Sequence, residues 1–188
     1  MVLGGSGGVG SVAVQLAKNA GASLVASTSS QIDMLKRLGV DKCINYRSEN
    51  WWEIPEFQQN HFDVLIDCVG GNDHYPKSCN VLKSSWNGGR FIAVVGDEPL
   101  VVAQNLFQLL GFACRFLWKP LWTLFAPWKP KYVPIFSQTT TENLTDILQR
   151  ISKGSLKIAL EPSSPFPFTV EGVTKAFKLQ ASGRAHGK

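Results

Sequence analysis

Short apolar, β-branched runs alternate along the chain with segments whose apolar residues recur at helical spacing. This is the pattern of an α/β fold, a doubly wound parallel sheet with helices on both faces. It predicts strands over residues 1–3, 23–27, 42–45, 62–68, 90–95, 132–136 and 157–160. Residues 8–20 read as a helix, with Val9, Val12, Ala13, Leu16 and Ala20 at helical spacing and Gly21 placed to end it. A second helix over 142–153 carries Leu144, Ile147, Leu148 and Ile151 on one face and stops at Gly154, and a third covers 169–179.

Both ends of this pattern read as truncated. The first strand holds three residues before a glycine loop, where strands usually hold about five or six. The chain ends on SGRAHGK where one more strand is expected, leaving a sheet edge open to pairing with another chain. Residues 99–130, from Pro99 to Pro130, break the alternation and hold three of the six tryptophans. Their longest uncharged stretch, 99–114, is 16 residues and includes Gln104, Asn105 and Gln108, short of the about 20 apolar residues of a membrane span. Arg115, Lys119, Pro120 and Pro127 interrupt the remainder of the segment. A helix or hairpin buried against another domain or subunit is the first reading, ahead of a membrane-surface contact and a true span.

The segment that carries chemistry is Gly5-Ser6-Gly7-Gly8-Val9-Gly10, a G-x-G-x-x-G between a strand and a helix. Gly5 permits the tight turn, Gly7 removes the side chain that would block a pyrophosphate, and Gly10 lets the helix lie close to the sheet. The diphosphate then meets free backbone N–H groups at the positive end of the helix. An NAD site of this kind places an acid about 20 residues on, at the end of the second strand. Residues 25–30 read VASTSS, and the first acid, Asp33, falls on the next helix. Thr28, Ser29 or Ser30 can instead hydrogen-bond a 2′-phosphate that Lys36, Arg37 or Arg47 neutralises, which favours NADP (as NADPH) over NAD. The same serines also read as a turn and helix cap.

Three strand ends lie on one edge of the expected sheet, at Val69-Gly70-Gly71, Val95-Gly96-Asp97 and Phe136-Ser137-Gln138. Ligands of such sheets bind outside the carboxyl ends of the strands, so the nicotinamide half is expected to pass them. Their glycines read equally well as turn residues. No Ser, Tyr and Lys cluster or paired carboxylate marks a catalytic centre. Asp67, at a strand end, reads first as a cap on nearby N–H groups, and Cys68 as a small core residue.

A length of 188 residues fits one domain, and 44% hydrophobic with 18% charged residues excludes collagen-like, disordered and coiled-coil chains. The net charge of +5 divides unevenly: residues 1–98 carry −2 and the remainder +7. The basic residues are scattered singly, so no nucleic-acid partner is expected. Cys43, Cys68, Cys79 and Cys114 form no CxxC pair, which fits a reducing, intracellular compartment. His61, His74 and His186 are too dispersed for a zinc cage, so no metal is expected.

The segments LGGSGGVGSVAVQLAK, LGVDKCINYR, FDVLIDCVGG, GGRFIAVVG and FPFTVEGVTKAFKLQASGRAHGK together resemble the Rossmann-like cofactor domain of a medium-chain dehydrogenase/reductase. The branch they resemble is that of the zinc-free, zeta-crystallin-like quinone oxidoreductases. The resemblance implies NADPH-dependent reduction of quinones or activated enones by hydride transfer. It implies that Gly7, Gly8, Val9 and Gly10 hold the pyrophosphate, that Thr28 and Tyr46 line the adenosine phosphate site, and that Arg184 approaches that phosphate. Gln31 stands where some members carry a lysine. The family also implies an N-terminal GroES-like domain, absent here, so that this chain alone is expected to be inactive. A homodimer through the edge between Tyr132 and Phe136 is implied, in the cytoplasm or mitochondria. The alternative is a non-catalytic nucleotide-binding or interaction scaffold on the same fold.

Overall fold

The computed structural model describes residues 1–95, 106–135, 139–183 and 185–187, with no side-chain detail for residues 106–110, 112, 113, 115 and 116. Six parallel strands form one sheet in the order β3-β2-β1-β4-β5-β6. They are β1 (Val2–Leu3), β2 (Ala26–Thr28), β3 (Lys42–Ile44), β4 (Val64–Asp67), β5 (Arg90–Ala93) and β6 (Lys131–Pro134). Helices α1 (Gly10–Asn19) to α5 (Leu106–Phe125) fall between them: α2 is Ile32–Arg37, α3 Pro55–Gln59 and α4 His74–Ser78. Helices α6 (Thr141–Ser152) and α7 (Val170–Ala181) follow β6. This strand order is that of the doubly wound dinucleotide-binding sheet.

The chain divides into two compact units. The first comprises Met1–Leu3 and Tyr46–Gln138. Within it β4 pairs with β1 and β5, and β5 with β6, through registers that set Val2 opposite Ile66 and Phe91 opposite Leu65 and Tyr132. Both residues of β1 are buried, while β4 and β5 alternate, burying Leu65 and Asp67, and Phe91 and Ala93, and β6 buries Tyr132. Tyr75 from α4 packs edge-on against Phe91 and Tyr132 at 5.4 and 5.2 Å between ring centroids, a favourable aromatic geometry. Its hydroxyl donates to the Pro130 carbonyl at 2.8 Å, so the buried polar tip is satisfied.

The second unit comprises Gly4–Asn45 and Thr139–Lys188. In it β2 pairs with β3, and Val14, Val25, Ala26, Leu35, Val40, Ile44 and Leu156 form the core. Gly21 and Gly154 end α1 and α6 with φ of +83° and +71°, conformations that favour glycine. Thr140 and Thr169 cap α6 and α7, their hydroxyls accepting from the Asn143 and Gly172 N–H at 3.2 and 3.1 Å.

Three expectations are corrected. Residues 157–160 are not a strand. The Gln15 side-chain amide takes both backbone groups of Lys157, donating to its carbonyl at 2.9 Å and accepting from its N–H at 2.8 Å, so a side chain does what a neighbouring strand would. Helix α1 buries Gly10, Ser11, Val14 and Gln15 rather than the face through Val9 and Ala20. Its phase is set by Gly10 lying against the Gly4 carbonyl and by Gln15 reaching Lys157. The apolar face of α6 is solvent-exposed at Leu144 and Leu148, and that helix buries no residue.

Part of the segment 99–130 lies outside the described residues; the rest contains α5, a 20-residue helix with Pro120 inside it. Leu117, Trp118, Leu121, Trp122 and Phe125 are exposed, and the Trp118 and Trp122 rings stack at 5.7 Å. Among the described residues no helix is long and apolar enough to cross a membrane.

Candidate functional site

The glycine loop is tied down residue by residue. The Gly4 N–H donates to the Thr28 hydroxyl and the Gly5 N–H to the Thr28 carbonyl, each at 3.0 Å. The Gly7 N–H closes a turn on the Gly4 carbonyl at 3.0 Å. Ser29, 1% exposed, donates its hydroxyl to Ser6 Oγ at 2.7 Å and accepts from the Gln31 N–H at 2.8 Å. Thr28 and Ser29, singled out in the sequence for a phosphate, are thus buried and hold the loop.

The turn falls to a different glycine from the one the sequence suggested. Gly4, with φ +75°, is the left-handed residue of the turn. Gly5 is needed for space, since a Cβ there would overlap the Ser27 hydroxyl, and a Cβ at Gly10 would overlap the Gly4 carbonyl. At Gly7 a Cβ would meet the Gly4 oxygen at an ordinary 3.4 Å, so the fold itself does not demand glycine there.

What the loop leaves open is its useful feature. No acceptor among the described residues takes the N–H of Gly8, Val9 or Gly10. Val9, the N-cap of α1, is 52% exposed, no side chain caps the helix, and its first turn carries no acid. Three unpaired amides at the positive end of a ten-residue helix suit an anion.

The tail joins this cluster: the Gly187 N–H donates to the Ser6 carbonyl at 2.8 Å, and His186 Nε2 lies 3.2 Å from Gln31 Nε2. No spacing in the sequence singles out His186, because its partner is 155 positions away. Gly5, Gly7, Gly8, Val9, Gly10, Thr28 and Ser29 form one connected group in the second unit.

Tyr46, Val69, Gly70 and Val95 belong to the first unit. Tyr46 is exposed, with the Arg47 guanidinium 5.9 Å from its ring centroid. Gly96 and Arg184 lie outside the described residues, as does Phe136. At the end of β4, Asp67 caps the loop as expected, Oδ1 accepting from the Val69 and Gly70 N–H at 3.0 and 3.1 Å. His74 Nδ1 stands 3.0 Å from its Oδ2, a partner the sequence did not reveal. Burial, reinforced by the Asp67 charge, pushes the half-buried Cys68 thiol up to about 11, which disfavours the reactive thiolate.

A doubly wound sheet of this strand order, with an unpaired glycine-loop helix end after its first strand, defines a domain of the dinucleotide-binding class. The family model described as zinc-binding dehydrogenase matches residues 38–188, and the chain belongs to that family, among the medium-chain dehydrogenase/reductases. It is 32% identical, over its whole length, to the 2-methylene-furan-3-one reductase of Solanum lycopersicum. It is 31% identical to the chloroplastic NADPH-dependent alkenal/one oxidoreductase of Arabidopsis thaliana and 28% to the mitochondrial NAD(P)H oxidoreductase RTN4IP1 of Mus musculus, again over its whole length. It spans 38%, 39% and 46% of these three relatives, less than half of each. The quinone oxidoreductase of Coxiella burnetii superposes on 99% of the chain with a TM-score of 0.68 at 26% identity, the chain covering 50% of it. Among the described residues no group of three or more His, Cys, Asp and Glu side chains is placed to hold an ion.

Proposed function

We propose that this chain is the NADP(H)-binding part of a metal-independent oxidoreductase that reduces quinones or activated enones. The observation that carries this reading is the glycine loop with three unpaired amides. The Gly8, Val9 and Gly10 N–H groups hold the pyrophosphate, while Thr28 holds Gly4 and Gly5, Ser29 holds Ser6, and Gly7 closes the turn on the Gly4 carbonyl. Tyr46 packs against the adenosine ribose phosphate and Arg184 neutralises it. Val69, Gly70, Val95 and Gly96 receive the nicotinamide half at the carboxyl ends of β4 and β5. When bound, the reduced nicotinamide supplies the hydride.

NADP over NAD is supported by the absence of an acid at the end of β2, where Asp33 already lies on α2, and by the NADPH dependence in the name of the Arabidopsis relative. Because the chain spans less than half of these relatives, binding rather than turnover is the property expected of these 188 residues. The edge strand β6 is the surface through which two copies would pair, and an intracellular compartment suits the four free cysteines. Calorimetric titration with NADPH is expected to give saturable binding of one equivalent. A cooperatively folded chain that takes up no NADPH overturns the reading and leaves the scaffold role in its place.

A further inference from the structure

The tail of the chain is pinned through its backbone and presents one side chain. The His186 N–H donates to Glu161 Oε2 at 2.7 Å and the Gly187 N–H to the Ser6 carbonyl at 2.8 Å. Gly187, with φ +80°, lies so close to residue 159 that a Cβ would overlap the Ala159 carbonyl oxygen. These contacts leave the half-buried His186 ring beside the exposed Gln31 side chain, with 3.2 Å between the two Nε2 atoms.

Gln31 is three residues beyond the end of β2, in the region where this fold discriminates the 2′ substituent of the adenosine ribose. No acid stands between Thr28 and Gln31 to take a 2′-hydroxyl, and the tail brings an imidazole instead. We propose that His186, held by the pinned tail and paired with Gln31, determines specificity for a 2′-phosphate. The proposal rests on the dinucleotide reading above. A phosphate monoester offers three strong acceptor oxygens, and the Gln31 amide and the imidazole N–H both donate to them. Among the described residues, the charged groups of the adjoining elements are Asp33, Lys36 and Arg37 on α2 and Glu161 beneath the tail. The Glu161 carboxylate accepts from the His186 N–H through Oε2 and from the Ser163 hydroxyl through Oε1.

The test is calorimetry of the chain and two variants with NADPH and NADH. His186→Ala keeps the backbone pins, and it is expected to weaken NADPH binding about tenfold while leaving NADH unchanged, the loss of one hydrogen bond to a charged group. His186→Arg is expected to restore NADPH binding at least to the original level. Equal loss for both cofactors in His186→Ala assigns the residue to loop support alone and overturns the proposal, as does no loss for either. A parent chain that binds neither cofactor overturns the dinucleotide reading itself, and the proposal with it.

Discussion

Asp67 Oδ2 lies 3.0 Å from His74 Nδ1 while the other oxygen of the same carboxylate accepts two backbone N–H groups, and Asp67 is only 2% exposed. A buried carboxylate with both oxygens committed organises the turn after β4, where Gly70 and Gly71 adopt φ of +83° and +108°.

Removing that acceptor leaves the Val69 and Gly70 N–H and the imidazole to be satisfied by water alone. Asp67→Ala is expected to cost about 1–3 kcal/mol, or a fall of roughly 2–4 °C in Tm per kcal/mol for a chain of this size. Asp67→Asn, which keeps an acceptor oxygen for the two amides, is expected to cost less. Thermal melts of both variants check the order.

The glycines of the loop separate into those the fold needs and those a ligand needs. Gly10→Ala forces a Cβ into the Gly4 carbonyl and is expected to lower Tm. Gly7→Val is expected to melt close to the parent but lose NADPH binding, because among the described residues a Cβ there would meet the Gly4 oxygen at 3.4 Å and the side chain enters the pyrophosphate's place. Retained NADPH affinity in Gly7→Val, measured by calorimetry, removes Gly7 from the site.

Stability should also respond to acid through Asp41. Its carboxylate accepts from the Val25 N–H at 2.7 Å and from Lys18 Nζ at 2.9 Å, and these two partners hold it below its ordinary value of 3.8. A depressed value in the folded state means that the contribution is present above the ordinary value and is lost as pH falls through the lower, folded one. The Tm gap between the parent and Asp41→Ala is therefore expected to be open at pH 7 and to close below 3.8. A gap of constant size across that range contradicts the assignment.

Much of this arrangement is legible in the order of residues. The alternation of apolar runs yields the six strands that form the sheet, and Gly21, Gly154 and Thr169 mark helix ends where they were expected. Such signals are local, set by backbone sterics within a turn of the residue that carries them. What could not be read depends on distant partners. The strand expected at 157–160 fails because Gln15, 142 positions earlier, supplies both hydrogen bonds. The phase of α1 follows from close approach to Gly4 rather than from its apolar period. The pairing of His186 with Gln31 left no spacing cue, because the tail is brought there by Glu161 and Ser6. At the candidate site, the glycine motif was plain, but the engagement of Thr28 and Ser29 in holding the loop was not.

The central claim is that the open amides of Gly8, Val9 and Gly10 receive the pyrophosphate of NADPH. Amide-resolved NMR of the isotope-labelled chain during an NADPH titration tests it most directly. The account predicts that these three N–H resonances shift most strongly and together, at the concentration where binding saturates. Saturable binding that leaves all three unmoved while resonances elsewhere shift would contradict it.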